Sequence, residues 1–201
     1  MEAADRLAYV ERYERRLREH GHAPETLGWR PGRERARFGV TAHVVAETGA
    51  RSLLDVGCGF ADLLDFLRET GWDGEYHGID LVPGLLAEAR RRHPALPLEE
   101  ADIADYEPGR TFDVVVASGV FNFRLEAEDN RDHIARSVER MLELARHAVC
   151  VDFLSTNVDY RHPGAWHTDP AWALELGRRL SAHARIRDDY LPFEFALVVY
   201  R

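Results

Sequence analysis

LLDVGCGFADLL, residues 53–64, reads as an apolar strand, a turn through two glycines and the first residues of a helix. Working outward from it, "RSLLDV" is a buried strand and "ADLLDFLRET" a helix stopped by Gly71. "EYHGID" is the next strand, "VPGLLAEARRRH" a helix that ends before Pro94, "LPLEEA" a weak strand and "FDVVVAS" a strong one. This βαβαβ alternation predicts a parallel sheet with helices on both faces. Beyond it come a long helix at 126–146, the buried strand "AVCVDFL", a helix over 170–180 and two strands, "HARIRDDY" and "FEFALVVYR". Consecutive terminal strands with a short connection predict an antiparallel closure, so the fold class is α/β: a Rossmann-like, seven-stranded, mostly parallel sheet with an antiparallel last strand. Upstream, residues 3–20 and 34–48 read as helices around the loop "GHAPETLGWRPGRE". The expected division is an N-terminal helical lid over 1–33, carrying Trp29, and a ligand-binding domain over 34–201.

With 201 residues and 45% hydrophobic content, one well-buried domain is expected. A net charge of −9 argues against a nucleic-acid partner and for a small molecule. No apolar run suits a membrane span, and the charged N-terminus lacks a secretory h-region, so a cytoplasmic monomer or homodimer is expected. Cys58 and Cys150 form no disulfide framework. All 26 basic residues are arginine, which excludes an internal pyridoxal Schiff base and a Walker lysine. Arg90, Arg91 and Arg92 are expected as a solvated helix end, where positive charge suits the dipole.

The acids around the glycine turn narrow the ligand. A dinucleotide loop needs G-x-G-x-x-G, but counting from Gly57 and Gly59 the third position is Asp62. A carboxylate at that helix start takes the place of a phosphate and repels it. Asp80 ends the next strand, 21 residues after Gly59, where an acid accepts bonds from both ribose hydroxyls. A ribose without pyrophosphate, beside carboxylates that suit a cationic amino-acid end, describes S-adenosylmethionine. Asp55 is read either as one of those carboxylates or as a loop-bracing acid, and Cys58 as a small residue lining the turn.

Together these segments resemble the class I S-adenosylmethionine-dependent methyltransferases. "LDVGCGFAD" resembles the family's first motif, with Ala61 where a third glycine is commonest. "GIDLVPGLLAEAR" resembles the second, which implies Asp80 on the ribose and Leu81 beside the adenine. "EEADIADY" resembles the third, implying that Asp102 bonds the adenine amino group and Ile103 lends its backbone amide. "FDVVVASGVFNF" resembles the fourth, placing Ser118 and Gly119 by the methionyl part. The resemblance also implies the strand order 3-2-1-4-5-7-6. The segments "SGVFNF", "DFLSTNVDY" and "RDDYLPFEFALVVYR" resemble as a set a small bacterial subgroup of the family.

The reacting partner is sought after the fourth and fifth strands. Asn122 is a candidate to orient the acceptor, with Phe121 or Phe123 facing a cation; the alternative makes the phenylalanines core and Asn122 a helix cap. In "DFLSTNVDYRHPGAWHTDP", Tyr160 and Trp166 are expected to line the pocket and Asn157 or Asp159 to touch polar groups. Asn122 and Tyr160 are the catalytic candidates; Arg37, Phe123 and Trp166 are the acceptor-binding ones. Arg37 reads equally as a carboxylate ligand or a partner of a surface acid. His133 reads as a helix-surface residue, and His162 and His167 lack a third ligand at metal-binding spacing. The leading expectation is methyl transfer to an oxygen or nitrogen of a small molecule. Two alternatives share the cofactor: cyclisation of its methionyl chain to azetidine-2-carboxylate with release of methylthioadenosine, and binding without turnover.

Overall fold

The apolar runs become the inner strands of one sheet in the computed structural model, which describes residues 1–201. In chain order the elements are α1 (Ala3–His20), α2 (Arg33–Thr48), β1 (Ser52–Val56), α3 (Asp62–Glu69), β2 (Glu75–Asp80), α4 (Pro83–Arg92) and β3 (Leu98–Glu100). They continue with β4 (Phe112–Ala117), α5 (Asn130–Leu144), β5 (Ala145–Leu154), α6 (Pro170–Leu180), β6 (Ala184–Arg187) and β7 (Glu194–Tyr200). The strand order is 3-2-1-4-5-7-6, with β7 alone running antiparallel to its neighbours β5 and β6.

β1 and β4 are buried along their whole length, which explains their unbroken apolar character: helices cover both faces of the sheet. On one face α5 and α6 supply Ile134, Val138, Met141 and Leu176 to a core shared with Val115, Val151 and Leu197. On the other, α2, α3 and α4 supply Phe38, Val44, Leu63, Leu67 and Leu86 against Leu53, Val114 and Val198. The sheet therefore sits in the middle of three layers.

β1 pairs with β2 on one side and β4 on the other, both parallel. Chain direction around the sheet reverses there, so the connections leaving β1 and β4 diverge and open a crevice at their carboxyl ends. α1 lies across that crevice. Tyr9 packs with Phe60, Val82 and Leu85 in a small separate cluster, and Glu14 Oε1 accepts a bond from the Gly84 amide at 2.8 Å.

One element differs from expectation. The helix expected from residue 126 begins at Asn130, because Asp129 caps it by accepting from the amides of Arg131 and Asp132. The amides of Glu126, Ala127 and Glu128 are instead bound by the carboxylate of Asp5, at 2.8, 3.0 and 3.2 Å. A contact from α1 thus shortens α5 and ties α1 to the loop after β4.

Candidate active site

The crevice is a bent cleft in two lobes that share Tyr9, Gly57, Asp80 and Val120. One lobe runs towards Leu81, Asp102 and Ile103; the other runs towards Asp55, Gly59, Asp62, Ser118 and Gly119. The backbone turns the floor into a smooth surface. Gly57 has φ +70°, and a Cβ there would come within 2.4 Å of Val120, so glycine is required both for its conformation and for space. Ala61 also takes the left-handed conformation, at φ 61°, where a third glycine would carry no steric cost.

Asp80 stands at the bend. Its Oδ2 accepts from the Gly59 amide at 2.8 Å and its Oδ1 from the Val82 amide at 2.9 Å. Burial pushes its carboxyl up to about 6 against those backbone bonds. Asp55 accepts from the Tyr76 hydroxyl at 2.6 Å, and burial, reinforced by nearby Asp80 and Asp152, pushes it up to about 7. Cys58 lines the cleft and packs against Gly78; burial holds its thiol well above its ordinary value, so it is a filler and not a nucleophile.

At one end, the chain's first amine lies 2.9 Å from Asp102 Oδ2, and the Ala104 amide donates to Oδ1 at 3.1 Å. Burial would raise this carboxyl, but the bonds from that amine and from Ala104 outweigh it and leave it below its usual range. At the other end, Ser118 Oγ and the Gly119 amide both donate to Asp152 on β5, the latter at 2.8 Å. Asp152 was missed in the sequence, where its signal is an acid inside the apolar strand "AVCVDFL".

Trp29 covers this second end. Its ring lies 3.0 Å from where a Cβ on Gly119 would stand, and Gly119 has φ +75°. Past Trp29 opens a cavity of about 440 Å3, bordered by Arg12, Arg16, Arg30, Arg37, Asn122 and His162 among others. An adjoining cavity of about 380 Å3 shares Trp29, Arg30, Arg37 and Leu154 with it and is also lined by Tyr160, His167 and Phe193. Phe193 holds a left-handed backbone, φ 69°, an uncommon conformation for a bulky side chain.

Several expected residues stand in different company. Arg37 is neither solvent-facing nor paired with a surface acid: it is 6% exposed and makes a two-bond ion pair with Glu194 of β7, at 2.7 and 3.0 Å. Asn122 does not cap α5; its Oδ1 accepts from the Leu154 amide at 2.8 Å and its backbone oxygen from the Trp166 amide at 2.9 Å. Phe123 borders the larger cavity with Arg12 over its ring, whereas Phe121 packs between His133 and Phe153. Tyr160 is 71% exposed and lines only the outer cavity, so it and Asn122 are not brought together. Trp166 packs against the core under Arg124 and borders neither cavity.

Asp62, at the start of α3, is bonded to Arg92 at 2.6 Å and to His22 at 3.0 Å. The arginine row of α4 is therefore not simply solvated: Arg92 joins Asp62, Asp65 and the Phe60 carbonyl, and Arg90 holds the Leu98 carbonyl. His133 does not lie on the helix surface: it is buried beside Glu128 at 3.4 Å, and burial lowers its basicity.

A methyltransferase-domain family profile matches residues 53–145, from β1 to the start of β5. Rv1506c of Mycobacterium tuberculosis, itself a methyltransferase by inference, is 31% identical over 157 residues, 74% of this chain and 92% of that protein. The trans-aconitate 2-methyltransferase of Methylobacterium nodulans is 31% identical over 116 residues, 58% of this chain but 45% of the enzyme. The fold is shared over 100% of both chains with the S-adenosylmethionine-bound magnesium protoporphyrin IX methyltransferase of Synechocystis PCC 6803, at a TM-score of 0.71 and 14% identity. The glycine turn and the acid at the end of β2 lie inside the matched region, and the chain belongs to the class I S-adenosylmethionine-dependent methyltransferases.

Proposed function

We infer that the protein methylates an oxygen or nitrogen of a small molecule held in the cavity beyond Trp29. The observation that carries this reading is the adjacency of the two spaces: Trp29 and Gly119 border both the cleft and the 440 Å3 cavity. That volume falls in the range of ordinary small-molecule pockets, ~300–1,000 Å3. Relatives named for trans-aconitate and for amino-sugar methylation support a small acceptor.

S-adenosylmethionine supplies an activated methyl group and needs no metal for its transfer. The chain's own residues position the partners. Asp80 takes the ribose hydroxyls at the bend of the cleft; Leu81, Asp102 and Ile103 form the adenine end. Gly57, Cys58 and Gly59 let the backbone approach closely, while Asp55 borders the methionyl end together with Ser118 and Gly119, the last two braced by Asp152. Asp62 acts through Arg92 by fixing the start of α3. Asn122 serves as a positioning residue: its Oδ1 holds β5, leaving the amide nitrogen for an acceptor. In-line placement and exclusion of water by Trp29 supply most of the effect expected of such a site.

Mass spectrometry of purified protein with S-adenosylmethionine, alone and then with a metabolite extract, tests the reading. S-adenosylhomocysteine formed only with extract is expected. Methylthioadenosine formed with no acceptor would replace it by cyclisation of the methionyl chain.

A further inference from the structure

The walls of the acceptor cavity oppose the charge of the whole chain. The protein carries a net charge of −9, yet the 440 Å3 cavity is bordered by four arginines and no carboxylate. Arg12, Arg16 and Arg30 have no acidic partner within 4.0 Å. Arg12 lies over the Phe123 ring, 5.8 Å from its centre, and Arg16 is held in place by the carbonyls of Glu25 and Thr26. Both are fixed by groups that leave their charge unneutralised.

Arg37 adds an independent sign. It borders both cavities, is 6% exposed, and keeps Nη1 buried without any hydrogen-bond acceptor while Nε and Nη2 are taken by Glu194. An unmet guanidinium N–H at a buried site is costly unless a ligand oxygen completes it. The adjoining cavity does hold Asp159 and Glu194, but Glu194 is already committed to Arg37 and lies 3.9 Å from Arg33.

We propose that the acceptor is a small organic anion, bearing carboxylate or phosphate groups, held by Arg37 at the inner wall and by Arg12 and Arg30 at the mouth. This assignment rests on the cavity being the acceptor site of the methyltransferase. Guanidinium forks match carboxylate and phosphate oxygens with two parallel bonds, a recognition that neutral sugars and amines do not satisfy. A cationic funnel in an acidic protein also raises the local concentration of such an anion and repels cationic metabolites.

The test is calorimetric titration of citrate, and separately of inorganic phosphate, into protein saturated with S-adenosylhomocysteine, with neutral glycerol as control. Saturable binding of at least one anion and none of glycerol is expected, weakened at least about tenfold by the R12Q/R30Q double substitution and by raised salt. Unchanged affinity for S-adenosylhomocysteine in the variant shows that the fold and cleft are intact. Citrate alone binding identifies a carboxylate site, and phosphate alone a phosphate-ester site; both support the anion assignment. If S-adenosylhomocysteine binds but neither anion does, or if the anion binds the double variant equally well, the assignment is overturned and the methyltransferase stands. If S-adenosylhomocysteine itself does not bind, the methyltransferase reading falls and takes the assignment with it.

Discussion

Asp55 is the residue whose role the sequence left most open; in the structure it lies in the cleft wall and accepts a bond from the Tyr76 hydroxyl. Burial raises its carboxyl to about 7, so the folded chain favours the protonated form. Its contribution to stability is then full below the ordinary carboxylate range near 4 and is lost as pH rises through 7. Asp55→Asn keeps an acceptor for the Tyr76 hydroxyl and removes the ionisation. Urea unfolding should find the variant about 4 kcal/mol more stable than the parent at pH 8 and nearly equal to it at pH 4. Equal stability at both values would mean that the charge is solvated after all. Arg37, Asp152 and Glu194 show the opposite side of legibility. Each is a charged residue whose partner is far off in the chain, Arg37 and Glu194 being brought together only when α2 packs on β5, the strand next to β7. A reading of local sequence sees their types but not their pairing.

At the level of elements, strands and helices were legible because apolar spacing, Pro and Gly mark them directly: Gly71 follows α3 and Pro170 begins α6. The start of α5 was not, since Asp5 captures the amides of residues 126–128 from another element. The same contact makes α1 part of the site. Its Tyr9 and Tyr13 lie in a cleft whose lobes measure only about 40 and 30 Å3, far below the ~300 Å3 of an ordinary ligand pocket, so α1 is expected to move outward when a nucleoside enters. Association that waits on such a motion is slowed by it. Stopped-flow quenching of tryptophan fluorescence by S-adenosylhomocysteine should show Tyr9→Ala associating about tenfold faster. An unchanged rate would show that α1 does not gate the cleft.

Across the whole molecule, the order of the sheet decides where chemistry can occur. β1 between β2 and β4 fixes the crevice, α1 and Trp29 roof it, and the loops after β4 and β5 enclose the space beyond. The cofactor motifs were legible because they are contiguous, each at the end of one strand. The acceptor cavity was not, because Arg12, Arg30, Arg37 and His162 come from four separate segments and meet only in the folded chain. No helix is long and apolar enough to cross a membrane. The central claim is that the cleft bent around Asp80 holds S-adenosylmethionine, and calorimetric titration of that compound into the parent and Asp80→Asn proteins tests it most directly. One-to-one binding weakened roughly 10- to 100-fold in the variant is predicted, the loss expected for charge-assisted bonds to the ribose. Equal binding by both proteins, or none by the parent, would contradict it.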